Sequence, residues 1–192
     1  MKDTREKILL ASEELMAKYG YATFSLGAIA EHLKISKGVV TYHFSKKDLI
    51  LFELVESYFR HAAEYMAIHM TIDKTAPEAL ESYISANIRY VAENRIRTLA
   101  IMNIIANHRD KNGRLTFSDK DNLICQPLIE IFQYGQMEEK SFRPFSPEMM
   151  AMFVRSVIDT LSGRIAINEI EDYEGAIQET ISVFAIATRR DE

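Results

Sequence analysis

Apolar residues return at every third or fourth position through most of this 192-residue chain, and that is the period of an amphipathic helix. Little interrupts it: there are 7 Gly and 4 Pro, and no proline occurs before Pro77. Runs of Val, Ile and Thr are short, so the pattern predicts an all-α fold of about nine helices. The first helix is expected from about Thr4 to Tyr19, with Ile8, Leu9, Ser12, Leu15, Met16 and Tyr19 on one face. Gly20 would end it as a left-handed residue. Short helices are expected at about Leu26–Leu33 and Lys37–Phe44, then longer ones at about Lys46–His69, Pro77–Asn94, Ile96–Asn107, Asp119–Glu139, Pro147–Asn168 and Tyr173–Arg190. HRDKNGRLTF, residues 108–117, reads as a polar loop, and Pro127 is expected to kink the helix containing it.

Capping residues mark several of the starts. Asp3 with Glu6, Ser45 with Asp48, Thr75 with Glu78 and Ser118 with Asp121 have the spacing of a capping box. Ser25 and Ser36 cap the two short helices, and Ser146 precedes Pro147 at a first helical position.

Composition narrows the class. Apolar residues make up 47% and charged residues 27%, which suits a packed core rather than a disordered chain. The single cysteine, Cys125, has no internal partner, so a disulfide-stapled scaffold is excluded and a reducing cytoplasm is expected. Met1 runs straight into KDTREK with no apolar stretch behind it, and no segment approaches the ~18 apolar residues of a membrane span. The expectation is a soluble cytoplasmic protein without a membrane partner.

Net charge is −5, which at first argues against nucleic acid. Its distribution argues the other way. Residues 1–50 carry eight Lys/Arg against six Asp/Glu, while the remaining 142 carry fifteen against twenty-two. Between His32 and Lys47 there are four lysines and no acid. A local basic patch on an acidic body still meets phosphates.

That patch lies in SLGAIAEHLKISKGVVTYHF, residues 25–44. Two short helices joined by Lys34, Ile35 and Ser36 read as a helix-turn-helix. Ala30 is small where the helices would cross, and Ile29, Leu33, Ile35 and Val40 would face the first helix. Ser36, Lys37, Gly38, Val39, Thr41, Tyr42 and His43 are left to point outward. A recognition helix needs small or polar residues at its N-terminal end to enter the major groove, and donors on its flanks for phosphates.

With those residues in place, the stretch from about Arg5 to Leu51 resembles the N-terminal DNA-binding region of the TetR/AcrR family of bacterial transcriptional regulators. The resemblance rests on Ile8, Ala11, Leu15, Gly20, Tyr21, Ile29-Ala30, Ser36-Lys37-Gly38, Tyr42-His43-Phe44 and Ser45-Lys46-Lys47-Asp48-Leu49. It covers roughly a quarter of the chain; beyond it only length, helix count and the two long C-terminal helices agree. Two departures stand out. The turn between the short helices usually carries Gly in this family and here has Lys34. The family often has Tyr where Thr41 stands.

The resemblance implies residues 1–46 as a helix-turn-helix domain and residues 47–192 as a helical effector-binding and dimerisation domain. Lys37, Val39 and Thr41 would meet base edges, and Gly38 would allow close approach. Ser25 would offer its hydroxyl and nearby amides to a phosphate, and Ser36, at the cap of the recognition helix, is counted among the DNA contacts. Tyr42 and His43 match the family's phosphate-contacting pair, and Lys46 and Lys47 would favour a phosphate at the start of the next helix. The alternative reading makes Tyr42 an aromatic of the module core, and Lys46 and Lys47 an ordinary solvated helix end.

The family's dimers form through the last two helices, where Met149, Phe153, Val157 and Leu161, and then Ile177, Ile181 and Phe184, make apolar stripes. The same stripes also suit packing within one subunit. A small hydrophobic or amphipathic effector is implied among helices four to eight. Phe59, Tyr65, Met66, Tyr83, Tyr90, Met102, Phe132 and Tyr134 are candidate lining, with Asn103, His108, Asn122 and Gln126 as polar contacts. Alternatively these residues are ordinary core.

Nothing points to an enzyme. There is no Walker loop, GxGxxG, GxSxG, HExxH or CxxC, and the five histidines are scattered, so no cofactor and no metal is expected. Glu13 and Glu14 are adjacent on a helix and point in different directions. The sequence therefore reads as a ligand-responsive, dimeric regulator: a repressor on a palindromic double-stranded DNA operator, released by its effector. The alternative is a DNA-coupled architectural or protein-interaction protein of the same fold without an effector.

Overall fold

The computed structural model describes residues 3–71, 73–117 and 120–190, with residues 120–123 described as backbone alone. Among the described residues nine α-helices follow one another: α1 (Thr4–Tyr19), α2 (Leu26–Leu33), α3 (Lys37–His43), α4 (Lys47–His69), α5 (Ala76–Glu93), α6 (Arg95–Asn107), α7 (Lys120–Met137), α8 (Pro147–Ala166) and α9 (Tyr173–Thr188). Every end falls within two residues of the sequence expectation. A 3-10 turn over Tyr21–Thr23, which periodicity did not signal, joins α1 to α2.

The ends are legible because local side chains make them. Ser25 Oγ accepts from Ala28 N–H at 3.1 Å and Ser36 Oγ from Val39 N–H at 3.3 Å. Thr75 and Glu78 form the reciprocal box, with Thr75 N–H donating to the Glu78 carboxylate at 3.1 Å and Glu78 N–H to Thr75 Oγ1 at 3.4 Å. This bonding holds the Glu78 carboxyl below its usual range. Ser146 caps α8, accepting from Met149 N–H at 3.2 Å. Asp3 departs from expectation, accepting from its neighbour Thr4 N–H at 2.6 Å. The expected box of Ser118 and Asp121 lies outside the described residues.

Two turns differ from each other in an instructive way. Gly20 closes α1 with φ 77° but ψ 177°, so it is extended in ψ and not the left-handed cap expected. Lys34, by contrast, is fully left-handed at φ 55° and ψ 42°. The Ile35 N–H reaches back to the Ala30 carbonyl at 3.0 Å and the Lys34 N–H to Glu31 at 3.1 Å. The lysine thus fills the place of the usual glycine in a Schellman turn.

The chain gathers into two compact units. The first comprises Met1–His61 and Asn94–Ser118, the second Ala62–Glu93 and Asp119–Glu192. The first therefore holds more than the three-helix module. It adds the first part of α4 and all of α6, and α6 packs along α1. Tyr58 on α4 and Thr98 on α6 share a buried hydrogen bond of 3.0 Å. Ile8, Met16, Ile29, Val40, Phe44, Ile50 and Leu51 are buried in this unit.

In the second unit α5 packs on α7, α8 and α9. Its core includes Leu80, Ile84, Ile88, Leu128, Phe132, Ala151, Val154, Ile158, Ile177 and Phe184. A Cβ at Gly135 of α7 would overlap the Phe142 ring and the Ala76 methyl, so glycine is required there for close packing. No helix among the described residues is long and apolar enough to cross a membrane.

Candidate nucleic-acid interface

The helix-turn-helix is held from beneath and bare on top. Ile29, Ala30, Val40 and Phe44 are buried, fixing α2 and α3 in their unit, and the Arg5 guanidinium lies 4.9 Å over the Phe44 ring. Leu33 and Ile35 are half-buried. On the opposite side Ser36, Lys37, Gly38, Val39, Thr41 and Tyr42 are all exposed. Tyr42 is 86% exposed, which removes it from the core. Its ring stands edge-on to half-buried His43 at 5.3 Å.

Side-chain bonding orients this face. The Thr41 hydroxyl donates back to the Lys37 carbonyl, so its proton is used within the helix and its methyl and lone pairs remain for an outside contact. The Ser25 and Ser36 oxygens accept from backbone as caps, leaving each hydroxyl proton to donate elsewhere. A Cβ at Gly38 would meet only Ser36 Oγ, at an ordinary 3.6 Å. Nothing inside the protein therefore excludes a side chain there; glycine keeps the outward surface low.

Lys46 is exposed just before α4. Lys47 is half-buried, its ammonium 4.7 Å above the Tyr21 ring. Burial, reinforced by Asp48, pushes the Tyr21 hydroxyl above its usual range, so the ring stays neutral beneath the cation. The Glu14 carboxylate on α1 lies 3.1 Å from Nε2 of His32 on α2.

Residues 8–54 match the family of bacterial regulatory proteins, tetR family. A tetR-family regulatory protein from Rhodococcus RHA1 superposes with a TM-score of 0.82 at 18% identity, over 100% of both chains. The ketosteroid transcriptional regulator KstR2 of Mycobacterium tuberculosis superposes at 0.79 and 14% identity, over 100% of this chain and 97% of that one. A protein from Saccharomonospora viridis solved in complex with choline gives 0.81 at 18%, over 97% and 98%. The segment is a TetR-family helix-turn-helix, and the whole chain has the TetR fold. No curated protein matches the sequence.

In this TetR fold the exposed apolar surface of α8 and α9 only partly follows the expected stripes. Met149, Phe153 and Val157 are exposed, and Phe153 is 50% so. Leu161 and Ile181 are half-buried against the subunit's own core. Ile177 and Phe184 do not face outward at all: they are buried in that core, because the stripe they define is the inward one. Residues that the sequence did not single out stand outside instead, namely Met152 on α8 and Val183 and Ile186 on α9.

Among the described residues the expected effector lining occupies several different environments. Phe132 is wholly buried, edge-on to Phe142 and Phe145 at 5.7 and 5.3 Å. Tyr83 is buried with its hydroxyl donating to the Ile124 carbonyl at 3.0 Å, and burial pushes that hydroxyl above its usual range. Tyr90 is buried beside half-buried Tyr65, whose hydroxyl donates to Glu93 at 3.1 Å. Met66 packs on the core, Phe59 is half-buried edge-on to Tyr58, and Met102 and Tyr134 are exposed. Asn103 donates to its own helix at Leu99 and Gln126 to Glu130. His108 is bonded to Tyr21, and the Asn122 side chain lies outside the described residues. A cavity of about 210 Å³ in the second unit is lined by others, among them Pro77, Leu80, Ile84, Phe142, Ile181 and Ala185. Sequence reasoning also missed Arg155 of α8, which donates to Asn87 at 3.0 Å and pairs with Asp159 one turn on. An arginine inside an apolar stripe gives no sequence signal of its partners.

Proposed function

We propose that this protein is a dimeric transcriptional regulator that represses by binding a palindromic DNA operator. The observation that carries this is the outward face of α3, where Lys37, Gly38, Val39, Thr41 and Tyr42 are exposed over a buried support. Lys37, Val39 and Thr41 read base edges. Ser25, Ser36, Tyr42, His43, Lys46 and Lys47 grip phosphates, and Gly38 lets the backbone approach. Two copies related by a two-fold axis place their α3 helices in major grooves about one turn, roughly 34–36 Å, apart. Residues 1–46 carry DNA contact; residues 47–192 carry dimerisation and effector response, and α4 belongs to both compact units. A hydrophobic or amphipathic small molecule that prefers one tilt of α4 releases the operator. The choline complex of the S. viridis neighbour supports a small-molecule ligand on this fold.

The effector-free alternative has one observation in its favour: none of the expected lining residues borders the 210 Å³ cavity. Both readings keep the DNA face, so the first experiment tests that face. Binding is measured across a salt series to a palindrome from beside the protein's own gene, with wild type and Lys37→Ala/Thr41→Ala. Six to ten phosphate contacts predict a loss of about 10³–10⁵ in affinity between 50 and 200 mM salt. The double substitution removes sequence preference. Equal binding of both proteins to any duplex would leave only a generic basic surface and overturn the reading. Release by a bound small molecule, or its absence in a broad screen, then separates the effector-responsive regulator from the alternative.

A further inference from the structure

The loop after α6 belongs to the same compact unit as the helix-turn-helix, and it is built as a cationic hairpin. Arg109 bridges to Leu115, Asp110 N–H donates to the Arg114 carbonyl at 2.9 Å, and Gly113 takes the positive φ of 76°. The one acid in the turn, Asp110, is exposed and is engaged by the turn's own backbone. Asp110 Oδ1 accepts from the N–H groups of Asn112 at 2.8 Å and Arg114 at 3.0 Å. That leaves Arg109, Lys111 and Arg114 exposed on a turn of six residues, with a surplus of two positive charges.

The root of the hairpin ties it to the DNA-facing end of the module. His108 is buried, and its Nδ1 shares a 2.8 Å hydrogen bond with the Tyr21 hydroxyl. Phe52 of α4 and Phe117 enclose the same imidazole at 5.8 and 5.7 Å. Tyr21 is the residue over which the Lys47 ammonium sits. The Tyr21 and His108 rings are 6.0 Å apart, so the His108 ring at the hairpin root lies within about 11 Å of the Lys47 ammonium. Tyr21 also begins the 3-10 turn that runs into Ser25, the cap of α2. One aromatic cluster therefore seats the phosphate-gripping start of α4, the approach to α2 and the cationic turn.

We propose that the hairpin of residues 109–114 is a second phosphate-contacting element, holding the backbone of double-stranded DNA that flanks the half-site read by α3. The inference rests on the regulator reading above and extends it. Lys111 and Arg114 are point contacts to phosphate without base readout, so they add affinity and salt dependence but no sequence preference. The Arg109 guanidinium donates to the Gly113 carbonyl at 3.1 Å and also holds the turn.

The test uses a palindrome selected by the wild-type protein from a random duplex pool. It is placed in two duplexes, one ending at the half-sites and one with about ten further base pairs on each side. Wild type should bind the longer duplex more tightly and with a steeper salt dependence. Lys111→Ala/Arg114→Ala, with Arg109 kept and folding checked by its melting curve, should lose that advantage. Its log–log salt slope should fall by about one per lost contact. Lys111→Glu/Arg114→Glu should weaken the longer duplex further while base preference stays unchanged. A double variant with the slope and length dependence of wild type overturns the hairpin contact. A wild type that selects no duplex overturns the regulator reading itself, and the hairpin contact with it.

Discussion

The guanidinium of Arg97 on α6 lies 2.9 Å from the carboxylate of Glu13 on α1. Nε faces that carboxylate at ion-pair distance but outside hydrogen-bond alignment. The other nitrogens complete the fork: Nη1 donates to His61 Nδ1 and Nη2 to Ser57 Oγ, each at 2.7 Å. One side chain thus joins α1 of the DNA-binding module to α4 and α6. Donation to Nδ1 requires that nitrogen to carry no proton.

Replacing Arg97 with Met keeps the apolar stem and removes three polar attachments. Glu13 is then left in a mostly enclosed site without its cation, a situation that costs about 3 kcal/mol. Urea denaturation at neutral pH should show Arg97→Met less stable by that amount, with Glu13→Gln less damaging. A change below about 0.5 kcal/mol, the level of an ordinary surface substitution, would show the fork to be solvated and the tie unimportant.

The same site has a pH signature. Burial outweighs the attraction of Arg97 and, helped by Glu14, raises the Glu13 carboxyl above its ordinary value. The folded state therefore holds this proton more tightly than the unfolded chain. Its stabilising contribution is complete below the unfolded value and is lost as pH rises through the folded one. Removing Arg97 raises the carboxyl further, so the penalty of Arg97→Met should shrink as pH is lowered from neutrality into the carboxylate range. Denaturation of both proteins at a series of pH values measures the difference, and a penalty that grows on acidification contradicts the assignment.

Lys34 gives a prediction of opposite sign. A non-glycine residue in the left-handed region costs about 1 kcal/mol, and the turn after α2 depends on that conformation. Lys34→Gly should stabilise the protein by up to about 0.5 kcal/mol, the strain relieved slightly exceeding the roughly 0.4–1 kcal/mol of added chain entropy. The melting temperature rises accordingly. A lower melting temperature would mean that the lysine side chain contributes more than its backbone strain removes.

These cases show what was legible in the sequence. Caps such as Ser25, Ser36 and Thr75 bond within three residues, so helix starts could be read locally. The left-handed Lys34 was visible as a departure from glycine at a turn. The packing of α6 along α1 was not, because Glu13 and Arg97 are far apart in sequence and neither residue type announces its partner. The outward side of α9 was missed for a geometric reason. Val183 and Phe184 differ by one position, about 100° around the helix, and periodicity alone does not say which stripe is inward. Aromatic residues such as Phe132 were equally ambiguous, since a filled core and a ligand pocket draw on the same side chains.

The outward stripe leads to the last prediction. Met149, Met152, Phe153 and Val157 on α8, with Val183 and Ile186 on α9, form the apolar surface that a second copy would cover; Ile186 is 64% exposed. A two-fold interface brings each such residue against its symmetry mate's surface, so one buried carboxylate per subunit is introduced twice. Phe153→Glu should therefore convert a dimer to a folded monomer, seen by sedimentation, with its helical content unchanged. Operator affinity should fall steeply, because a monomer presents one α3 where the palindrome offers two grooves. Ile177→Ala behaves differently: it opens the subunit's own core and should cost about 2–4 kcal/mol of stability while leaving the association surface intact. If Phe153→Glu sediments as wild type does and Ile177→Ala dissociates, the inward stripe is the interface and the assignment of the two faces of α9 must be reversed.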